Sequence, residues 1–139
     1  MTDLYQLSVP FPDSLVRKAP SGKYGDYVTH STITERLLSI VGPFDMRVTD
    51  TFIVDGKLEA VILEMTFMID GQRVTIQEAG DCEQPDNWKT QGARLKDAIS
   101  DGVKRCSMRV GLGLHLWSGG DYFLQTQLGK DHPEEKEEQ

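Results

Sequence analysis

The sequence predicts an α+β fold in which a curved antiparallel β-meander packs on a long helix, a β-β-β-α core preceded by another helix. Three patterns indicate this. Asp55-Gly56 and Asp70-Gly71 are two-residue hairpin turns that separate three strand-like stretches. An amphipathic helical pattern follows them over 91–110. A shorter helical pattern precedes them and ends at Gly42-Pro43, a helix stop signal.

The elements before the meander are an irregular lead-in and a helix. Pro10, Pro12 and Pro20 favour an irregular chain over residues 1–26. A helix is predicted over 31–41. Ser31 or Thr32 is its candidate N-cap, and a glutamate at 35 is placed to complete a capping box.

The meander is predicted as strands over 46–54, 58–69 and 72–79. In the middle strand, alternate residues are apolar, the period of a strand with one buried face. They are Val61, Leu63, Met65, Phe67 and Ile69. This face should pack on the long helix, so the sequence predicts a sandwich of one sheet and one helix.

A polar loop over 80–90 leads into the long helix. The helix is expected to bury residues within one 100° arc. They are Leu95, Ile99, Gly102, Val103, Cys106 and Val110. A short extension over 114–117, a turn over 118–121 and a last element over 122–128 complete the expected fold.

The composition of the 139 residues fits one domain over 1–130, with a core at about 15–117. Residues 131–139 are strongly acidic and are predicted to be a disordered tail. The start of the sequence lacks a signal-peptide pattern, and no apolar run reaches the length of a membrane span, so we expect a cytoplasmic protein without membrane contact. The spacing of Cys82 and Cys106 predicts two reduced thiols rather than zinc ligands.

Positive charge is concentrated on the long helix although the formal net charge of the chain is −7. Residues 89–109 carry six bases and two acids. Arg94, Arg105 and Arg109 fall on one 60° arc, with Lys104 beside it, and arginine forks suit phosphate groups. The alternative is an ordinary solvated face on which Asp97 and Asp101 pair with these bases.

A second basic group is Arg17, Lys18 and Lys23, next to Tyr24 and Tyr27. Aromatic rings beside bases suit single-stranded nucleic acid, which offers bases to stack and phosphates to pair. The alternative is a solvated loop whose tyrosines cover the core.

Sequence signatures of enzymes are absent. The chain has no phosphate-binding Lys-Ser/Thr loop and no Gly-x-Ser-x-Gly, and its histidines lack metal-ligand spacing. Acidic residues on or near strands (Asp45, Asp50 and Glu64) leave open a carboxylate site that binds a metal. We therefore expect a non-enzymatic protein without a cofactor or metal.

The helix sequence from Ala93 to Arg105, followed by Met108-Arg-Val-Gly-Leu-Gly-Leu, resembles the signature helix of the Rad fifty-two-type single-strand annealing proteins. The resemblance covers about 15–117 and is closest to the short phage and bacterial recombination members. It implies a β-β-β-α core that assembles into rings or filaments, with single-stranded DNA in a basic groove.

The resemblance places the family's Lys-Arg pair on Lys104 and Arg105, and its earlier helix lysine on Lys96. The chain departs from the pattern at Met108 and Thr32, where the family has basic residues, so the groove is expected to be less basic or built differently.

The resulting hypothesis is a homo-oligomer that binds single-stranded DNA and anneals complementary strands in recombination and repair. A single-strand-binding protein and an exonuclease are candidate partners. The candidate DNA-binding residues are Lys104, Arg105, Arg109, Arg94, Lys96, Arg17, Lys18 and Lys23. The acidic tail is either inert, a competitor for the groove, or a docking segment. The alternative function is a small interaction or accessory protein that reuses the fold without binding DNA.

Overall fold

The computed structural model describes residues 2–18 and 26–131, and its architecture is the predicted α+β fold. The helices are α1 (Asp3–Ser8), α2 (His30–Val41), α3 (Gln91–Arg109) and α4 (Leu124–Asp131). The strands are β1 (Arg17–Lys18), β2 (Asp26–Tyr27), β3 (Asp45–Val54), β4 (Lys57–Ile69) and β5 (Gln72–Asp81). Short 3₁₀ turns lie at Asp13–Leu15, Pro85–Asn87 and Leu114–Leu116.

The β-meander has the predicted connections. Its strand order is β3-β4-β5, and both pairs are antiparallel. Asp55 and Gly56 have φ of 51° and 78°, and Asp70 and Gly71 have 50° and 79°. Positive φ at both central residues is the backbone of the type I′ turn, whose twist matches that of the strands.

The core lies between β4 and α3, as the alternation in β4 predicted. Val61, Leu63 and Met65 are fully buried, and Phe67 and Ile69 are nearly so. Cys106 and Val103 of α3 join them. The helix approaches β5 most closely at Gly80, where a Cβ atom would collide with the Ala98 carbonyl oxygen and lie 2.9 Å from the Gly102 nitrogen. Two glycines thus allow the helix backbone to lie directly on the sheet.

The described part of the lead-in, residues 2–18, is more ordered than the proline pattern predicted. Residues 3–8 form α1, and Thr2 Oγ1 accepts a hydrogen bond from the Tyr5 nitrogen at 3.2 Å as its N-cap. Tyr5 and Leu7 are buried, as is Phe11, so this part of the lead-in contributes to the hydrophobic core. Apolar burial against α2 and α4 stabilises a helix too short to form alone.

The turn between β4 and β5 also holds α1. Asp70 Oδ1 accepts from the Asp3 nitrogen at 2.6 Å, and Asp70 Oδ2 from the Leu4 nitrogen at 3.3 Å. In return, the Asp70 nitrogen donates to Asp3 Oδ2 at 2.8 Å. A side chain 67 positions away in sequence therefore caps the first free N–H groups of α1.

The start of α2 differs from the prediction. Thr29 is the N-cap, and its Oγ1 accepts a hydrogen bond from the Thr32 nitrogen at 3.4 Å. The helix therefore begins before Ser31, and Glu35 lies beyond the third helical position that a capping box requires. The last predicted element is α4, shifted two to three residues from 122–128. Residues 132–139, most of the predicted acidic tail, lie outside the described residues.

Candidate functional site

A groove of about 620 Å³ runs along one side of α3 and contains Lys104 and Arg105, the pair that the family resemblance indicated. We call it the α3 groove. Its walls come from α3, β2, the segment between β5 and α3, and the segment after α3. Lys104 and Arg105 line it together with three aromatic side chains, Tyr27, Trp88 and Trp117. The rings are between 38% and 47% exposed, so their faces are partly open to solvent.

Lys104 is half-buried against β2. Its Nζ lies 5.1 Å from the centroid of the Tyr27 ring, within the range of a cation–π contact. Burial lowers the pKa of the Lys104 ammonium, and the nearby carboxylates of Asp101 and Asp97 act in the opposite direction. The aromatic contact and the two carboxylates hold the lysine along the wall of the groove.

Arg105 is held by a second aromatic ring and a carboxylate. Its Cζ lies 5.1 Å from the centroid of the Trp117 ring. Its Nε donates to Asp101 Oδ2 at 2.9 Å, one turn earlier on the same helix. The same carboxylate oxygen accepts from the Asp81 nitrogen at 2.9 Å, which ties the end of β5 to α3. The alternative interpretation of the basic face expected intrahelical pairs with Asp97 and Asp101, and the structure shows the one with Asp101.

Arg94 does not share an exposed row with Arg105 and Arg109. Its side chain is only 8% exposed. Nε donates to the Pro85 carbonyl at 2.8 Å, Nη2 to the Trp88 carbonyl at 2.7 Å, and Nη1 to Gln91 Oε1 at 2.8 Å. The guanidinium thus folds back toward the segment before α3, and its hydrogen bonds to two carbonyl groups hold that segment against the helix. Its structural role corrects the expectation that Arg94 faces a phosphate.

The other candidate bases on α3 lie outside the groove. Arg109 pairs with Glu78 of β5, with 2.6 Å between Nε and Oε2, and its side chain is 58% exposed. Lys96 is exposed on α3 and is not part of the groove lining. The helix therefore presents its bases in separate places, and Lys104 and Arg105 are the pair that the fold brings together.

Two residues of the second basic group, Arg17 and Lys18, lie on the strand next to β2 and are not part of the groove lining. Arg17 and Lys18 are exposed on β1, which pairs with β2 in the register Arg17–Tyr27 and Lys18–Asp26. Tyr27 and Asp26 in turn line the groove. The structure thus brings the bases of the lead-in beside the groove wall. Lys23 and Tyr24 lie outside the described residues.

The described lining of the groove is less basic than the helical pattern predicted. Among the described residues, five carboxylates share this lining with Lys104 and Arg105, namely Asp26, Asp81, Glu83, Asp97 and Asp101. Three of them come from β2 and from the end of β5 and its following segment. A helical wheel of α3 cannot place these residues, because they reach the groove only through the tertiary fold.

Trp88 and Trp117 are groove residues that the sequence analysis did not single out. Each lies in a segment that flanks α3 and is more than 40% exposed. The available signal was a tryptophan in a polar or glycine-rich segment next to a basic helix, the arrangement already noted for Tyr27.

The alternative chemistries gain no site in the described residues. Over 2–18 and 26–131, no three His, Cys, Asp or Glu side chains are gathered as metal ligands. Of the strand carboxylates, Glu64 pairs with Arg47 at 3.6 Å. Cys82 and Cys106 are free and buried, and burial raises the pKa of the Cys106 thiol to about 11, away from the thiolate form.

Within the described part of the chain, no helix has a stretch long and apolar enough to cross a bilayer. Comparison with protein-family models gives no match, and a search of curated proteins finds no matching relative.

Proposed function

We propose that the chain binds single-stranded DNA along the α3 groove and, as a homo-oligomer, anneals complementary strands without enzymatic chemistry. One observation carries the proposal: Lys104 and Arg105 each lie against a partly exposed aromatic ring in the same groove. Positive charge beside open rings is what a single strand requires, since its phosphates need cations and its bases need surfaces to stack on. The resemblance of the α3 sequence to the annealing proteins supports the same function.

On DNA binding, Lys104 and Arg105 would exchange their aromatic partners for phosphates. In the free protein, the faces of Tyr27 and Trp117 are covered in part by the chain's own cations. A phosphate offers Lys104 and Arg105 a stronger, charge-assisted partner than a ring does. As the cations turn toward the backbone of the strand, the rings become available to the bases.

The carboxylates of the groove limit the affinity of each subunit, because they repel phosphates at short range. Useful affinity then requires many subunits on one strand, each adding a weak contact. This agrees with the expectation of an oligomer. It also predicts strong salt dependence, with log K falling against log salt with a slope of roughly −0.7 per neutralised phosphate.

The test is binding of a labelled oligonucleotide across salt concentrations, together with annealing of two complementary dye-labelled strands. Replacing both Lys104 and Arg105 with alanine should abolish annealing and reduce the salt slope by about 1.4, since two phosphate contacts are lost. Replacing Arg73 and Lys130, two exposed cations outside the groove, removes the same charge and should leave annealing unchanged. Equal effects of the two double variants, or no annealing by the wild type, would refute the proposal.

The charge balance of the groove supports a second candidate, an interaction module that binds a cationic segment of another protein. Five carboxylates beside three aromatic rings suit lysine and arginine side chains. Asp26→Asn separates the two functions, because Asp26 is an exposed carboxylate of the groove lining that lies on β2 and not on α3. The substitution should tighten DNA binding if phosphates occupy the groove, and it should weaken binding of an oligo-arginine peptide if cations do.

A further inference from the structure

The sheet is wider than the helix that covers it, and β3 is left uncovered. α3 packs on β4 and β5, whereas nine of the ten residues of β3 are exposed. Four of the exposed side chains are large and apolar: Met46, Phe52, Ile53 and Val54, at 45–58% exposure. Among the described residues, the outer edge of β3 also has no strand beside it. An uncovered, apolar edge strand is a surface for pairing with another strand.

The register with β4 assigns the side chains of β3 to the two faces of the sheet. The core side carries the residues paired with buried positions of β4, namely Met46, Val48, Thr51 and Ile53. The outer side carries Asp45, Arg47, Asp50, Phe52 and Val54. The register shifts between Val48 and Asp50, so Thr49 is an extra residue. The core side therefore changes from even to odd positions in the middle of the strand.

We infer that two copies of the chain pair through β3, antiparallel and edge to edge, to form one six-stranded sheet. The pairing is centred between Thr49 and Asp50. It sets Met46 opposite Ile53 of the second copy, and Val48 opposite Thr51. Because of the extra residue, both members of each pair lie on the core side in their own subunit. Every pair occurs twice, as a two-fold contact requires.

The charges along β3 fit the same register. Arg47 faces Phe52 of the second copy on the outer side, and it lies diagonally beside Asp50 of that copy, within reach of a long side chain. Asp45 faces Val54 and Asp50 faces Thr49, so no like charges are directly paired. The two Asp50 carboxylates approach each other at the two-fold axis, and each has an Arg47 of the other copy diagonally beside it. Arg47 is 75% exposed and its contact with Glu64 is long, at 3.6 Å, so it is available to a second copy.

The occupant is a second β3 rather than the free edge of β5. The large apolar side chains exposed on the sheet edges belong to β3, whereas the exposed side chains of β5 are polar or small. Pairing β3 with itself covers these apolar groups on both copies, while pairing with β5 would set them beside polar residues. This contact does not rest on the proposed DNA binding, and its two-fold symmetry closes at a dimer.

Light scattering of the full chain over a range of concentrations tests the contact. We expect wild type to reach twice the 15.6 kDa chain mass, or a multiple of it if other contacts add to this one. Ile53→Lys should halve the number of subunits. Leu38 is an apolar residue of similar exposure on α2, at 50% against 58% for Ile53, and Leu38→Lys should leave the number unchanged. A wild type that stays monomeric, or an Ile53→Lys protein with unchanged mass, would overturn the proposal.

Cross-linking tests direction and register. Met46→Cys and Ile53→Cys proteins, mixed, should give a covalent dimer with a short bifunctional thiol reagent. Either variant alone should not, because identical positions of the two copies lie about 23 Å apart along the strands. The native thiols of Cys82 and Cys106 are buried, and the wild-type protein gives their background level of cross-linking. Cross-linking of either variant alone, or none in the mixture, would overturn the antiparallel register.

A charge exchange gives a third readout. Arg47→Asp or Asp50→Arg alone should weaken the dimer, since each sets like charges side by side across the contact. The two substitutions together restore an opposite-charge pair and should recover association. Failure of the double variant to associate better than both single variants would remove the Arg47–Asp50 contact from the proposal and, with it, the register.

Discussion

Replacing Gly80 with alanine should destabilise the protein more than any other glycine-to-alanine change in the sheet-helix core. The added Cβ would collide with the Ala98 carbonyl oxygen and lie 2.9 and 3.0 Å from the nitrogen and Cα of Gly102. These are backbone atoms, which cannot rotate away as a side chain can. α3 would have to move off β5. Overpacking costs about 1–3 kcal/mol, and we expect the upper end of that range here.

Two matched substitutions separate the steric effect from the general effect of alanine. At Gly102, a Cβ would lie 3.1 Å from Cβ and Cδ2 of Leu63, whose side chain can adjust. The gain in helix propensity of about 1 kcal/mol offsets part of that cost, so the net loss should be about 1 kcal/mol. At Gly92, the nearest atom is 3.9 Å away, so alanine should stabilise by roughly 0.5 kcal/mol.

The assay is urea-induced equilibrium unfolding of wild type and the three variants, with the slope m compared between them. We expect Gly80→Ala to be the least stable variant and Gly92→Ala the most stable. A loss of less than about 1 kcal/mol at Gly80, well below the overpacking range, would show that the helix does not rest on the β5 backbone.

Two further predictions concern buried polar groups. Arg94→Lys should lower the free energy of unfolding by about 2–4 kcal/mol, measured by thermal unfolding, because one ammonium cannot replace three guanidinium hydrogen bonds. Arg109→Lys, at an exposed ion pair, should lower it by less than about 1 kcal/mol. His115 Nε2 accepts a hydrogen bond from the Phe11 nitrogen at 3.3 Å. Burial lowers the pKa of His115, and the nearby charge of Arg36 lowers it further. The unfolded chain therefore binds the proton more readily, and stability should fall as pH drops below about 6.5, the ordinary pKa of histidine. The neighbouring Tyr122 stays neutral in this range, because burial raises the pKa of its hydroxyl. His115→Gln should flatten the fall, and His30→Gln, at an exposed site, should not.

The sheet and the long helix were predictable because their signals are local. The two Asp-Gly turns fix the hairpins, and the period-two pattern of β4 fixes its buried face. α1 was missed because its six residues carry too little periodicity, and its stability comes from Asp70 and from buried contacts distant in sequence. No local pattern contains that information.

The groove was only partly predictable for a related reason. A helical wheel gives the direction in which a side chain leaves the helix, but a long arginine then follows the nearest acceptors. Arg94 and Arg105 leave α3 on the same side, yet carbonyl groups draw one inward while Asp101 and Trp117 hold the other in the groove. The carboxylates and tryptophans that complete the site come from other segments.

The reciprocal hydrogen bonds between Asp3 and Asp70 have a consequence for the order of events at the ribosome. The Asp70 carboxylate that caps α1 is synthesised 67 residues after Asp3. The Tyr122 hydroxyl that donates to the Ser8 carbonyl follows later still. The contacts that hold α1 therefore form only after synthesis has passed these residues, and until then the apolar residues of α1 remain accessible to chaperones.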